Sequence, residues 1–516
     1  MARILTENMK EIMGEGRNID DLDRRYLKKQ TVYSMVNFEN SLFQGKITPS
    51  KGITKILQIS DKMPLQNIKF SKDDNGVAKL TAVSNGNIYN VVDWTTTATV
   101  TKIDDGLHKT NFVDIISVTK KDIVAGTSVS FLTFLDGSNY PQKYDYSTIS
   151  NLTTNHKASF GIFLNERLWT NDIDEPALFR FSSAFLPDDF GTTAPATGGF
   201  KQIGENTNPL TAVSSIFIPG DNNSHIILAK SNQIWGVSGT DSTNYQQYLI
   251  NNNEAGTNSP RGLITLGQEL LILGNDDIYR YSTLTQQGII TRKDISDPIR
   301  KIYKENINTD YMSNAFMFFD NKENNTGRIY SFVPTILDKI NEAFVYDRSG
   351  LWFRRNFDTN YFTCIDKDPD SGLVYVGDIF GNIFLLNDGY TYNGNDYQCY
   401  IDFGFKDFGT GVTKSGTPNN FIEINTSEDI DITLDILKIG KNGGIFSKDT
   451  VTLPFKRKKY RYDTAKYGNS IYSNSTRVRQ EFEIGLFSKL KVQLKLEKAQ
   501  NFTINEINLE CYESLI

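Results

Sequence analysis

Residues 79–89 read KLTAVSNGNIY, which is an apolar strand, a polar turn at 84–87 and an aliphatic–aromatic pair that opens the next strand. Apolar runs on either side of a turn rich in Gly and Asn predict a β-hairpin. The same pattern returns at 159–169 (SFGIFLNERLW), 225–235 (HIILAKSNQIW), 270–279 (LLILGNDDIY), 315–330 with a longer turn, and 373–384 (LVYVGDIFGNIF). A looser copy, 131–137 (FLTFLDG), leads to Tyr140 and Tyr144.

The spacing of these copies indicates a repeat architecture. Six steps from Tyr89 to Phe384 average about 49 residues, close to the ~40–50 residues of one propeller blade. A four-stranded blade buries its faces only against neighbouring blades, and closing the ring hides the sheet edges. We therefore predict an all-β protein with a β-propeller of six to eight blades over residues 55–392. The alternative is a large β-sandwich array that repeats hairpins.

The two ends of the chain differ from the repeat. Residues 390–396 (YTYNGND) are rich in turn formers, and beyond them stretches such as 430–437 (IDITLDIL) and 490–497 (LKVQLKLE) alternate with period two. This alternation predicts a C-terminal antiparallel β-sandwich over 393–516. Residues 1–54 are predicted to form an N-terminal arm, with a short helix at 19–29 (IDDLDRRYLKK), that packs on the ring or on a partner.

The overall charge limits the function classes. The 516 residues include 55 Lys+Arg and 61 Asp+Glu, a formal net charge of −6, which argues against a protein that grips nucleic acid or anionic lipid through a basic face. The sequence contains neither an apolar run of membrane-helix length nor a signal-peptide pattern, so no membrane insertion is expected. Three isolated cysteines, Cys364, Cys399 and Cys511, cannot form a disulfide framework.

Motifs that carry chemistry are scarce. His108, His156 and His225 show no metal-ligand spacing, and the sequence has no GxSxG elbow and no GxxxxGK[ST] loop. The sequence therefore predicts no catalytic residues, no metal site and no cofactor, and hence a protein that is not an enzyme.

Two sets of acids leave alternatives open. Asp366, Asp368 and Asp370 resemble the opening of a calcium loop, but the twelfth position is Gly377 instead of Glu, which favours an inter-strand turn. The acid pairs 188–189 and 174–175 could serve a glycosidase, which needs two carboxylates across a pocket.

One dense basic run provides candidate interaction residues. It contains Lys456, Arg457, Lys458, Lys459, Tyr460 and Arg461. Basic residues interleaved with aromatics can bind single-stranded nucleic acid or phosphate. In an acidic protein we favour a solvated loop or a contact with an acidic neighbouring subunit.

Two segments carry a family resemblance. The first combines 165–169 (NERLW), Pro176, 178–183 (LFRFSS) and 186–190 (LPDDF), and the second is 345–352 (VYDRSGLW). Together with a propeller followed by a sandwich, they resemble the packaged-DNA stabilisation proteins (tail accessory or nozzle proteins) of short-tailed phages. The acidic stretch 171–175 lengthens the turn after Trp169, which leaves open whether the chain is the nozzle or a related tail-hub propeller.

The resemblance implies a structural virion protein of the phage tail, made in the host bacterial cytoplasm. Such a protein would form a homo-oligomeric ring, with six copies favoured, that contacts the portal adaptor and other tail proteins and helps retain and eject the genome. Double-stranded DNA would pass through the lumen without tight binding, which suits a net negative charge because each neutralised phosphate adds affinity. Two other classes remain open: a carbohydrate-binding or carbohydrate-cleaving propeller that binds a host receptor, and a bacterial propeller scaffold that binds other proteins.

Overall fold

The computed structural model of the protein describes residues 4–9, 34–40, 46–95, 98–122, 127–191, 197–218, 224–252, 255–282, 291–321, 327–335, 338–347, 350–406, 414–439, 445–456 and 476–513. Within these ranges the fold is all-β, as predicted, with one α-helix, α1 (Arg300–Asn306), and short 3-10 helices at Asp297–Ile299 and Thr309–Asn314. The helix predicted at 19–29 lies outside the described residues.

Strands are numbered in chain order. The N-terminal strands are β1 (Ile4–Met9), β2 (Ser34–Val36), β3 (Phe38–Asn40), β4 (Ile47–Pro49) and β5 (Ile53–Gln58). Blade 1 contains β6 (Leu65–Lys72), β7 (Ala78–Ser84), β8 (Asn87–Val92) and β9 (Thr99–Asp104). Blade 2 contains β10 (Asp114–Asp122), β11 (Thr127–Leu135), β12 (Gln142–Tyr144) and β13 (Ile149–Asn151). Blade 3 contains β14 (Gly161–Leu164), β15 (Arg167–Asn171), β16 (Leu178–Phe181) and β17 (Gly199–Gln202).

The remaining blades follow the same order. Blade 4 contains β18 (Ala212–Phe217), β19 (Ser224–Ala229), β20 (Gln233–Ser238) and β21 (Gln246–Asn252). Blade 5 contains β22 (Leu263–Leu266), β23 (Glu269–Leu273), β24 (Ile278–Ser282) and β25 (Thr291–Asp294). Blade 6 contains β26 (Phe316–Asp320), β27 (Arg328–Val333), β28 (Glu342–Asp347) and β29 (Leu351–Asn356). Blade 7 contains β30 (Phe362–Lys367), β31 (Val374–Asp378), β32 (Asn382–Leu386) and, from the N-terminal segment, β5.

The C-terminal strands form the sandwich. They are β33 (Cys399–Lys406), β34 (Lys414–Gly416), β35 (Phe421–Thr426), β36 (Ile430–Ile439), β37 (Ile445–Phe455), β38 (Thr476–Glu481), β39 (Leu486–Phe487), β40 (Lys489–Leu496) and β41 (Phe502–Glu513).

The first hairpin shows why the repeat folds as it does. The turn between β7 and β8 places Asn85 at φ 51° and Gly86 at φ 75°, the left-handed conformations that a two-residue hairpin turn requires. A Cβ on Gly86 would also come within 2.3 Å of the Leu107 carbonyl oxygen. The turn residues in the sequence therefore fix both the hairpin and its packing on the next connection.

The described residues form seven four-stranded antiparallel blades arranged in a ring. The first strand of each blade contacts the first strand of the next, and β30 of blade 7 contacts β6 of blade 1. Apolar clusters fill the spaces between neighbouring blades, for example Trp169 of blade 3 against Leu228 of blade 4. This confirms a propeller with a blade number inside the predicted range.

The ring is closed by a strand from near the N-terminus. Strand β5 pairs antiparallel with β32, with Leu57 opposite Ile383 and Ile53 opposite Leu386. Blade 7 is therefore built from two segments of the chain that are more than 300 residues apart in sequence, counting from β5 to β30.

The C-terminal strands form two antiparallel layers, as predicted for a sandwich. One layer has the order β33-β40-β36-β37, and the other is built around the long strand β41, which pairs with β35, β34, β1 and β4. Ile432 and Leu494 of the first layer and Ile424 and Ile504 of the second belong to one buried apolar cluster. The N-terminal strands β1, β3 and β4 thus lie in a C-terminal sheet, and the predicted domain boundaries at 54 and 392 stay predictions.

A single sheet runs from the propeller into the sandwich. Its nine described strands have the order β26-β27-β28-β29-β2-β33-β40-β36-β37. Strand β2 is the link: Val36 pairs in parallel with Arg354 of β29, and Met35 pairs antiparallel with Ile401 of β33. Blade 6 and one sandwich layer are therefore hydrogen-bonded through three residues of the N-terminal segment. In the described part of the chain, no helix has the length and apolarity to cross a membrane.

Candidate functional site

The junction between propeller and sandwich, defined by β2, β3 and residues 387–398, contains a set of buried polar contacts between distant segments. Asn37 lies between β2 and β3 at φ 58°, a left-handed conformation that Asn tolerates better than most residues. Its Oδ1 accepts a hydrogen bond from the Asn356 backbone N–H (2.9 Å), and its Nδ2 donates to the Gln398 carbonyl (2.8 Å). One side chain therefore ties blade 6 to the start of the sandwich.

Two tyrosines pack beside Asn37. The rings of Tyr392 and Tyr397 are stacked, with centroids 3.9 Å apart and planes 5° from parallel. The Tyr392 hydroxyl donates to the Asn356 carbonyl (2.9 Å), and the Tyr397 hydroxyl donates to the Ser50 carbonyl. Burial raises the pKa of both phenols above the usual range, so they stay neutral hydrogen-bond donors.

Two buried arginines complete the junction. Arg328 of β27 pairs with Glu39 of β3 at 3.1 Å, an ion pair between blade 6 and the N-terminal segment. Arg355 of β29 donates to the Asn387 side chain and to the Lys51 carbonyl. Both guanidinium groups are essentially inaccessible to solvent. These contacts join blade 6 to the N-terminal segment and to the residues that follow β32.

The 186–190 segment that carries the family resemblance is a clasp between blades 2 and 3. Asp188 accepts hydrogen bonds from Lys120 (3.0 Å) and Lys143 (2.9 Å), both in blade 2. The Phe190 N–H donates to the Thr153 carbonyl at 3.0 Å. Burial opposes ionisation of Asp188, but the two lysines outweigh it and hold the pKa of Asp188 below its usual range.

The acid pairs considered for carbohydrate cleavage have structural partners. Besides the lysines on Asp188, the Asp189 carboxylate accepts from the Gly191 N–H at 2.8 Å. Glu175 pairs with Arg180 at 3.4 Å. The structure therefore uses three of these four acids for turns and ion pairs.

The other resemblance residues form blade cores. Trp169 stacks on Phe179 with centroids 5.7 Å apart and meets Phe181 at 4.7 Å. Trp352 packs on Tyr346 across the β28–β29 hairpin, and its Nε1 donates to the Ile295 carbonyl at 2.8 Å. The aromatic residues of both motifs thus pack within their own blades, and Trp352 also bonds to the connection that follows blade 5.

The calcium-like acids do not converge on one point. Asp366 accepts from the Phe70 N–H (2.6 Å), Asp368 accepts from the Asp370 N–H (2.9 Å), and Asp370 pairs with Lys72. This is an inter-strand turn between β30 and β31. Among the described residues, the carboxylates close enough to share a cation belong to Asp277, Asp294 and Asp297.

These three carboxylates surround the guanidinium group of Arg300. The Arg300 guanidinium lies 2.6 Å from Asp277, 3.3 Å from Asp294 and 2.5 Å from Asp297. The cluster is a structural ion-pair network at the start of α1.

His156 and the cysteines also lie in buried structural surroundings. His156 is caged by the Thr154 and Thr170 hydroxyls, at 2.5 Å and 2.7 Å, and burial lowers its pKa to about 4. All three cysteines are buried, and none forms a disulfide bond among the described residues.

The basic run is only partly described. Lys456 is exposed directly after β37, whereas Arg457, Lys458, Lys459, Tyr460 and Arg461 lie outside the described residues. The run belongs to the connection between β37, the edge strand of one sandwich layer, and β38 of the other layer. Its role as an interaction segment stays a prediction.

Sequence reasoning missed the junction. The turn-rich residues 390–396 indicated a boundary, but nothing in their spacing showed that Tyr392 meets Asn37, 355 positions earlier. The short apolar segment 34–38 (SMVNF) was the available signal for β2 and β3, and its partner could not be read from it.

A scan against protein-family models found no match. A search of curated proteins found no significant match.

Proposed function

We propose that this chain is a structural protein of a short-tailed phage virion, a subunit of a homo-oligomeric ring in the tail nozzle or hub. Six copies are favoured, placed below the portal adaptor and in contact with other tail proteins. The protein would be made in the host bacterial cytoplasm, and the ring would extend the DNA channel and help retain and eject the genome.

The continuous nine-stranded sheet is the observation that carries this proposal. Because β2 hydrogen-bonds blade 6 to the sandwich, displacement of one part is transmitted to the other through backbone pairing. The buried ion pair and the stacked tyrosines resist hinge motion at the same place. Such a rigid two-part subunit suits a mechanical role, and the sequence resemblance points to the phage tail.

The DNA would pass through the central opening of the ring of subunits and not along the axis of any one propeller. Arg261, which precedes the inner strand of blade 5, reaches across the axis: its guanidinium carbon lies 4.3 Å from the centroid of Phe112 beside blade 2. It also stacks on Phe316 of blade 6 at 4.7 Å and donates to the Thr363 carbonyl of blade 7 at 2.6 Å. A side chain bonded to several blades obstructs the propeller axis, so the proposed lumen belongs to the oligomer.

Ring formation tests the proposal directly. We expect the purified chain, alone or with its portal adaptor, to give closed rings by negative-stain electron microscopy. Mass photometry should then show a species near six times the 58.4 kDa of one chain. A protein that stays monomeric at micromolar concentration with and without the adaptor would contradict the proposal.

A further inference from the structure

The outer face of the sandwich layer built on β41 contains a polar cavity. Its volume is about 340 Å³, at the small end of the ~300–1,000 Å³ range of ligand pockets. The cavity is lined by Lys46, Glu423, Asn425, Arg477, Asn505 and Glu506. On β35, Ile422 and Ile424 are fully buried in the core, so strand alternation directs Glu423 and Asn425 to the opposite face.

The charged side chains that line the cavity comprise two acids and two bases. Glu423 and Glu506 lie directly opposite each other on β35 and β41, and both are buried, at 8% and 9% exposure. Arg477 of β38 pairs with Glu423, and Lys46 supplies the second positive charge. Two acids and two bases give a formal net charge of zero, which favours an uncharged ligand over a cation or a phosphate.

A β-bulge directs one further group into the cavity. Glu423 pairs with Glu506 but Ile424 pairs with Ile504, so Asn505 is the extra residue of β41. Bulges re-aim side chains and are over-represented next to functional sites. The Asn505 Oδ1 is buried and has no hydrogen-bond partner among the described residues, which leaves one acceptor for a ligand to satisfy.

We propose that this cavity binds a neutral saccharide. A sugar hydroxyl both donates and accepts, and the lining presents donors (Lys46, Arg477 and the amide nitrogens) next to acceptors (the carboxylates and the amide oxygens). The inference stands apart from the proposed ring, because the cavity lies on the sandwich and uses none of the junction residues.

Saturation-transfer NMR with the full chain tests it. The probes are glucose, galactose, mannose, rhamnose and N-acetylglucosamine at millimolar concentration, with glycine and glutamate as charged comparisons. We expect transfer to at least one saccharide, with the dissociation constant raised at least tenfold by Arg477→Ala and by Asn505→Ala. Glu510→Gln is the matched control, since Glu510 lies on the same strand outside the cavity, near Asn419, and should leave binding unchanged.

The variants separate binding from folding. The Arg477 side chain is 65% exposed, so Arg477→Ala should still fold, with a lower thermal midpoint because Glu423 loses its cation. Binding is therefore measured well below that midpoint, and the variant remains usable even if Asn505→Ala does not fold. No transfer to any saccharide, transfer that neither variant weakens, or transfer to the amino acids alone would overturn the proposal. Ring formation by Arg477→Ala is measured in parallel, so a failure here leaves the proposed virion function untouched.

Discussion

The interfaces between blades and the junction between propeller and sandwich are built by different means. Blade interfaces are mainly apolar and join residues near in sequence, such as Trp169 with Tyr245 at 4.8 Å. The junction uses a shared sheet, one left-handed Asn whose hydrogen-bond partners lie more than 300 positions away, and the buried ion pair between Arg328 and Glu39. A repeated apolar interface can be formed by many sequences, whereas the junction depends on a few polar residues with specific partners. Each prediction below separates these two kinds of contact.

The largest expected loss of stability comes from a substitution in a blade core. Trp169→Ala removes a side chain that is 1% exposed and packed on Phe179, Phe181 and Tyr245, so we expect the free energy of unfolding to fall by about 4 kcal/mol. Denaturant unfolding measures it. Phe200→Ala on the same blade is the control, because Phe200 is 54% exposed and should cost well under ~1 kcal/mol. Equal losses in the two variants would contradict the assigned core.

The junction should respond almost as strongly to loss of one charge. Glu39→Gln removes the nearer carboxylate from the buried Arg328 guanidinium and leaves Asp347 at 4.0 Å, so we expect the free energy of unfolding to fall by up to about 3 kcal/mol. Calorimetry should also show the propeller and sandwich unfolding less cooperatively. The exposed Glu428→Gln is the matched control and should stay within ~0.5 kcal/mol. A single unchanged transition in Glu39→Gln would show that the Arg328–Glu39 pair does not couple the two parts, and that the shared sheet and the contacts of Asn37 and the tyrosines suffice.

Acid should destabilise the propeller through the buried His156. Burial depresses the pKa of His156 to about 4 from 6.5, so the unfolded chain binds the proton more readily. The stability present above pH 6.5 is therefore lost as the pH falls toward 4, by about 3 kcal/mol from this residue. Unfolding measured from pH 7 to 4 should show this slope, and His156→Gln should reduce it. An unchanged slope in the variant would assign the loss to other groups.

Two substitutions of Asn37 separate the energetic contribution of backbone strain from that of the side-chain hydrogen bonds. Asn37→Gly keeps a residue that adopts φ 58° freely and loses only the side-chain bonds, at about 1 kcal/mol. Asn37→Ala loses the same bonds and adds the strain of a left-handed Ala, so about 2 kcal/mol is expected. Thermal unfolding ranks them, and an Ala variant as stable as the Gly variant would contradict a strained Asn37.

The smallest effect is expected at the 186–190 clasp. Asp188→Asn removes two partly exposed ion pairs with Lys120 and Lys143, at about 1 kcal/mol. The folded-state pKa of Asp188 is lowered, so its contribution is present above the unfolded value near 3.8 and is lost as the pH falls below it. The stability difference between wild type and Asp188→Asn should be constant from pH 5 to 7 and shrink below pH 4. A difference that persists at pH 2 would indicate a packing effect.

The sequence predicted the propeller because its signals are local. Turn residues such as Asn85 and Gly86 lie between the strands that they connect, and each hairpin repeats the same alternation. The junction and the cavity could not be predicted in this way. Glu39 and Arg328, or Glu423 and Glu506, become neighbours only through strand order, and nothing in the local pattern around either residue specifies its partner. For the same reason the local pattern could indicate only the three consecutive strands of the seventh blade. Its fourth strand, β5, lies at the other end of the propeller sequence.

The closure of blade 7 by β5 has a consequence for synthesis. As the chain leaves the ribosome, Ile53–Gln58 emerges early, but its partner β32 (Asn382–Leu386) is made more than 300 residues later. Strands β1 and β4 wait still longer, for β41 at the C-terminus. At the ~5–20 residues per second of translation, these edges stay unpaired for tens of seconds, during which they can pair wrongly with other nascent chains. A chain that ends before β32 would leave β5 unpaired and the ring open, whereas one that ends between β32 and β41 could close the ring but would leave β1 and β4 without their partner.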